Sequence, residues 1–260
     1  MLTGILPYDL LPRDAHAYWA VDPVDPYGDA ELGAEDSFLY APVAAQLLGP
    51  LTNLPFDAFR WGYVATQVVA LALGGIAYTL VVPGVIEDIV RGNIHILLAL
   101  AILASFRFPV AWTAVLLTKV TPGIGLIWFA VRREWLALGQ AFGGTLVVVC
   151  ASILLGGIDP WVDWVRLLAT SAEAPRTYTY LGIAPPALVL RLPLAAVVVA
   201  WGAASDRRWT VPLGAFLALP VIWPSGFALL AAIPPLVLAD RDSRKASGSP
   251  ASAPGIGAAE

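Results

Sequence analysis

Apolar residues run along this chain in long blocks, and the polar residues gather at the joints between them. The blocks occupy residues 38–55, 62–82, 93–106, 109–131, 136–158, 184–203, 209–223 and 225–239. A hydrocarbon layer about 30 Å thick takes about 20 helical residues to cross, so these blocks are predicted to be membrane helices, several of them short. The block 109–131 is interrupted by KVTPGIG at 119–125. There Pro122 removes a backbone donor and two glycines loosen the helix, which predicts two short helices meeting at a break. The fold expected is an all-α polytopic membrane protein, a bundle of about nine transmembrane helices, several short or broken.

Composition supports this pattern. The chain is 58% hydrophobic and 13% charged, with a mean hydropathy of +0.75. Soluble domains carry about 45–50% apolar and about 25% charged residues, so one soluble core could not hide this much apolar surface. A net charge of -4 and a pI of about 5.1 supply no basic surface for nucleic acid. The single cysteine, Cys150, has no mate. Disulfides and thiolate metal sites within the chain are therefore excluded.

Arg and Lys in short loops mark the cytoplasmic side of a membrane protein. Arg132, Arg133, Arg207, Arg208, Arg241, Arg244 and Lys245 fall on one face if the 119–125 break re-enters from the other. That face is read as cytoplasmic. Residues 1–37 and the loops 83–92 and 159–183 then lie outside, and residues 240–260, rich in Ser, Pro, Ala and Gly, form a disordered cytoplasmic tail. Residues 1–20 have neither the basic start nor the apolar core of a signal peptide. An outer N-terminus of 37 polar residues needs an anchor ahead of it, so a first transmembrane helix upstream of Met1 is expected. Inverted repeats, the usual sign of a secondary transporter, are not evident.

The outer segments carry the candidate chemistry. Asp9, Asp14, Asp22 and Asp25 sit among His16, Tyr18, Trp19 and Tyr27. In the loop 159–183, Trp161, Trp164, Val165 and Leu168 share one helical face, which predicts an amphipathic surface helix with tryptophans at headgroup depth. Charge within hydrocarbon costs about 2.5–3.5 kcal/mol at a helix centre, which singles out His95, Lys119 and Arg191. With Arg91, His16 and Arg176 they are expected to form a cationic pocket opposite the acidic loop. Such a pairing suits transfer of a sugar from a lipid phosphate. Cations stabilise the leaving phosphate, a carboxylate takes the proton of the acceptor hydroxyl, and Tyr18, Trp19 and Tyr40 offer rings for sugar faces. The acidic cluster fits no calcium loop, and no metal or cofactor is expected.

RDAHAYWAVDPVDPYG, FLYAPVAAQLLGPLTNLP, RGNIHILLALAI and LLTKVTPGIGLIWFAVRREW follow one another in an order that resembles glycosyltransferase family 87. These are polyprenol-phosphate-sugar-dependent enzymes of the GT-C class and include mycobacterial phosphatidylinositol mannosyltransferases. The resemblance covers roughly residues 8–240. It implies a GT-C-like bundle whose extracytoplasmic loops carry the site, with Asp14 as the base in an Asp-x-x-x-Tyr pattern. It also implies that GNIHILL matches a Gly-Gln/Asn-x-Asn helix start, bringing Asn93 into the substrate site and placing His95 where Asn is common. Lys119 stands near the family's Lys-Pro break, with two residues between it and Pro122. Where many members carry Pro-x-Ser-Trp-x-His-His, this chain keeps Pro220 and Trp223 and neither histidine.

The reading is an inverting glycosyltransferase that moves a hexose, mannose foremost, from a polyprenyl phosphate to a lipid or glycan acceptor outside the cytoplasm. Two alternatives stay open at this point. One is a transporter or flippase with His95, Lys119 and Arg191 along its path; the other is a truncated, non-catalytic relative.

Overall fold

The computed structural model describes residues 12–28, 37–76, 79–80, 83–173 and 186–248, and among these the regular structure is entirely helical. Two short helices come first, α1 (Arg13–Trp19) and α2 (Pro42–Leu48), followed by α3 (Phe56–Leu73). Next are α4 (Pro83–Arg91), α5 (His95–Ser105), α6 (Trp112–Thr118) and α7 (Ile127–Val131). The chain continues through α8 (Trp135–Gly156), α9 (Asp159–Glu173), α10 (Leu188–Ala204), α11 (Thr210–Leu217) and α12 (Ile233–Gly248). Tighter 3₁₀ turns at Thr121–Leu126 and Pro224–Ala232 join α6 to α7 and α11 to α12.

The break read at 119–125 is present. Helix α6 stops at Thr118, Lys119 is extended (φ -135°, ψ 101°), and Pro122 lies in the first turn of the 3₁₀ segment. A proline there forfeits only a donor that the start of a helix leaves unpaired anyway.

Three apolar clusters hold the helices together. The largest joins α5, α6, α7, α10 and α11 through Ile102, Trp112, Phe129, Val199, Val211 and Leu219. The close approach of α10 to α11 depends on Gly202, whose absent Cβ would run into the Thr210 side chain. A second cluster gathers Tyr18, Phe38, Phe59, Trp161 and Trp164 around α1 and α2, and a third packs Leu71, Val85, Ile96 and Ala228 where α3, α4, α5 and the 224–232 turn meet.

Helix α8 alone among the described residues is both long and apolar enough to cross a membrane. Only 11% of its most apolar stretch is buried inside the protein. Leu146, Val147, Leu154 and Leu155 point outward, as does Cys150. Exposed apolar surface on this scale marks an interaction face. The other apolar helices are shorter, 10–17 residues each.

Ion pairs tie α7, α10 and α12 together. Arg132 bonds Ala203 O at 3.2 Å, pairs with Glu134 at 2.7 Å and binds Asp206. Asp240 accepts from Arg208 N at 2.9 Å, which fixes the start of the polar part of α12. The helix runs on to Gly248, so residues 240–248, read from composition as part of a disordered tail, are helical. Composition could not see the partner that Asp240 finds. Helix α9 is amphipathic, as its spacing predicts, but its tryptophans face inward. Trp161 Nε1 donates to Ser152 Oγ at 3.1 Å and Trp164 Nε1 to Leu39 O at 3.2 Å. Their indole N–H groups find protein partners, which corrects the expectation of rings at headgroup depth.

Candidate functional site

The site is built on the turn between α4 and α5. Helix α4 ends in a Schellman motif: Gly92 N donates to Ile89 O at 3.2 Å and Asn93 N to Asp88 O at 2.9 Å. Gly92 has φ +69°, and a Cβ there would strike Ala15 of α1. Glycine is required on both counts. The close approach lets Asn93 reach across to α1, where its Nδ2 donates to Asp14 Oδ2 at 3.0 Å. The Asn93 carbonyl is itself held by Gln67 Nε2 at 2.7 Å and Tyr63 Oη at 3.3 Å, both from α3.

Asp14 is half-buried. Burial raises its carboxyl pKa, Lys119 and His95 oppose that rise, Asp88 adds to it and Arg91 counters it. These groups therefore share one electrostatic environment with Asp14. Lys119 owes its place to the end of α6, where the extended backbone turns the chain out of the helix. Arg91 pairs with Glu87 at 2.8 Å.

Beneath Asp14 lies a residue that sequence reasoning missed. Asp88 is fully buried. One of its oxygens accepts from Ile96 N at 2.9 Å, capping the first turn of α5, and the other meets His95 Nδ1 at 2.8 Å. Burial, partly offset by that backbone bond and by Lys119, raises the Asp88 pKa to about 8. One proton on the Asp88–His95 pair satisfies the contact, whichever atom carries it. His95 Nε2 has no hydrogen-bond partner among the described residues although the side chain is 1% exposed. The signal for Asp88 lay in the spacing: Gly92 reverses the chain, so a residue on the last turns of α4 faces the first turn of α5.

Aromatic rings wall the site. Tyr18 Oη and Tyr40 Oη are 2.7 Å apart, and the Tyr18 ring packs against Tyr40 and Tyr63 with centroids 5.3 and 5.5 Å away. Tyr27 Oη donates to Tyr40 O at 2.5 Å, pinning the chain after α1 to the start of α2.

The structure thus brings Asp14, Tyr18, Tyr40, Arg91, Asn93, His95 and Lys119 together. His16 and Trp19 lie on α1 beside them but pack on Phe56, with centroids 5.1 and 5.4 Å away, and Trp19 Nε1 donates to Leu54 O at 2.7 Å. Their rings hold α1 against α3. Arg191 does not join the cluster. Its guanidinium donates to the carbonyls of Pro186, Leu217, Leu219 and Pro220 at 2.7–3.1 Å. The expected phosphate contact is replaced by a structural one, because the end of α11 leaves carbonyls that need donors. Arg176 and Asp9 lie outside the described residues. Asp22 accepts from Val24 N at 2.8 Å in a local turn. Among the described residues no three His, Cys, Asp or Glu side chains gather as a metal site.

A half-buried carboxylate oriented by an amide can accept a proton, and an ammonium in the same environment can balance the charge of a departing phosphate. The model of glycosyltransferase family 87 matches residues 38–239, a span that includes Asp88, Asn93, His95 and Lys119 and begins after Asp14. No curated protein and no solved structure gives a significant match. With most of its length matched by that one model, the chain belongs to glycosyltransferase family 87 and is a glycosyltransferase, acting on a sugar donor and an acceptor.

Proposed function

We propose that the protein is a multi-pass membrane enzyme that transfers a hexose, mannose foremost, from a polyprenyl phosphate to a lipid or glycan acceptor, with inversion, on the extracytoplasmic face. The observation that carries this reading is the Asp14 carboxylate, held by Asn93 at 3.0 Å and within the electrostatic reach of Lys119 and Arg91. The acceptor hydroxyl oxygen attacks the anomeric carbon from the side opposite the phosphate. Its proton passes to Asp14 as the bond from that carbon to the phosphate oxygen breaks, and the electron pair leaves with the phosphate. Lys119 and Arg91 balance the charge that gathers there. No acid is needed for so good a leaving group. Burial of Asp14 strengthens it as a base relative to an ordinary carboxylate of pKa about 3.9. Tyr18 and Tyr40 supply faces and hydroxyls for the sugar. The outward face of α8 supports a membrane setting.

The test is Asp14→Asn in membranes supplied with polyprenyl-phosphate mannose and, separately, glucose. Transfer is expected to fall by about 10²- to 10⁴-fold with the amount of protein unchanged. Undiminished transfer would remove Asp14 from the base role.

A further inference from the structure

The end of α8 remote from Asp14 carries a second polar surface that sugar transfer does not use. Helix α8 is 22 residues long, so its ends lie about 33 Å apart. Its C-terminal part packs near α2, with Gln46 Nε2 donating to Ser152 O at 3.0 Å. At its N-terminal foot is an open surface depression of about 550 Å³ bordered by Phe106, Arg107, Arg133, Trp135, Leu136 and Gln140. The acid at the rim, Glu134, is taken by Arg132 at 2.7 Å. Arg107 and Arg133 have no carboxylate partner among the described residues; Arg107 lies over the Phe108 ring at 5.5 Å. Arg133 also sits at φ +59°, the glycine position of the motif that ends α7. A bulky residue is uncommon there. The neighbouring cavity of about 280 Å³ has Arg132, Arg208 and Arg244 matched by Glu134, Asp206 and Asp240, so it offers an anion no net charge.

We propose that Arg107 and Arg133 bind the phosphate of an anionic glycerophospholipid at the foot of α8. Two guanidiniums match phosphate oxygens in fork geometry. Trp135 and Leu136, 65% and 77% exposed, continue into the bare apolar face of α8, where acyl chains would lie. A free phosphate would fill the cationic part and leave that rim uncovered. The site rests on the reading that α8 lies in a bilayer.

The experiment uses the full chain in vesicles with spin-labelled phosphatidylglycerol or phosphatidylcholine as the probe. The wild type is expected to hold phosphatidylglycerol preferentially. Arg107→Gln with Arg133→Gln should weaken that preference about twenty-fold, and Arg107→Gln alone, which alters one exposed side chain, about five-fold. Sugar transfer should persist in both. Unchanged retention in the single variant or in a folded double variant would overturn the site, as would release of the lipid by millimolar inorganic phosphate. Insertion without any lipid preference overturns this site alone. Failure to insert overturns the membrane reading with it.

Discussion

Asn93 donates its side-chain amide to Asp14 across 3.0 Å, joining residues 79 positions apart. The bond depends on the turn at Gly92, which presses against Ala15 next to Asp14. The carboxylate we propose as the base is therefore placed by a helix end on another element, and changes at that helix end should be felt in transfer.

Asn93→Ala removes a hydrogen bond to the ionised form of Asp14. Burial already raises this pKa, and loss of the donor raises it further. Bonds to charged groups contribute about 1.5–3 kcal/mol, so the acidic limb of the kcat/KM profile should move up by about one pH unit or more. A profile that stays in place would show that Asp14 does not titrate in the reaction.

Gly92→Ala should disable the enzyme through geometry. The left-handed backbone costs a non-glycine residue about 1–2 kcal/mol, and the new methyl group displaces α1. Transfer and thermal stability should fall together. Gly139→Ala on α8, where a Cβ meets open space, should leave both unchanged or gain slightly in stability.

Asp88→Asn tests the buried acid under the site. Its folded pKa of about 8 lies above the ordinary value of about 3.9. Below about pH 4 neither folded nor unfolded chain ionises at this position. Between about 4 and 8 the unfolded chain does so first, so the group makes stability fall as pH rises through that window. The amide can still accept from Ile96 N and donate to His95 Nδ1, and it removes the ionisation. Melting measured from pH 4.5 to 8 should slope less steeply in the variant.

Arg191→Gln should lower stability by about 3 kcal/mol or more, since several carbonyls lose a charged donor, and its melting point should drop by several degrees. In the fraction that stays folded, kcat should be retained. A selective loss of kcat with normal melting would return Arg191 to the phosphate.

Those expectations differ in how far the sequence could supply them. The stop at Lys119 was legible because proline and glycine act locally on the backbone. The helices within the apolar blocks were legible from hydropathy, whereas α4, read as the loop 83–92, is a helix (Pro83–Arg91) that its mixed composition did not reveal. Asp88 was hidden, since a carboxylate in VIEDIVRGN reads as a solvated loop acid until a tertiary fold buries it. Arg191 was misread for a related reason: position along the chain told which helix it occupies, while three of the four carbonyls it binds come from 26 to 29 residues further on. Trp161 and Trp164 had the right spacing for one shared face, but spacing does not say whether that face meets lipid or protein.

The outward position of Cys150 on α8 gives the molecule a built-in reporter. No other thiol exists in the chain, so a nitroxide or fluorophore attached there needs no background cysteines removed. Quenching by oxygen, which prefers hydrocarbon, against a water-soluble nickel chelate would then read out the immersion depth of that helix in the native sequence.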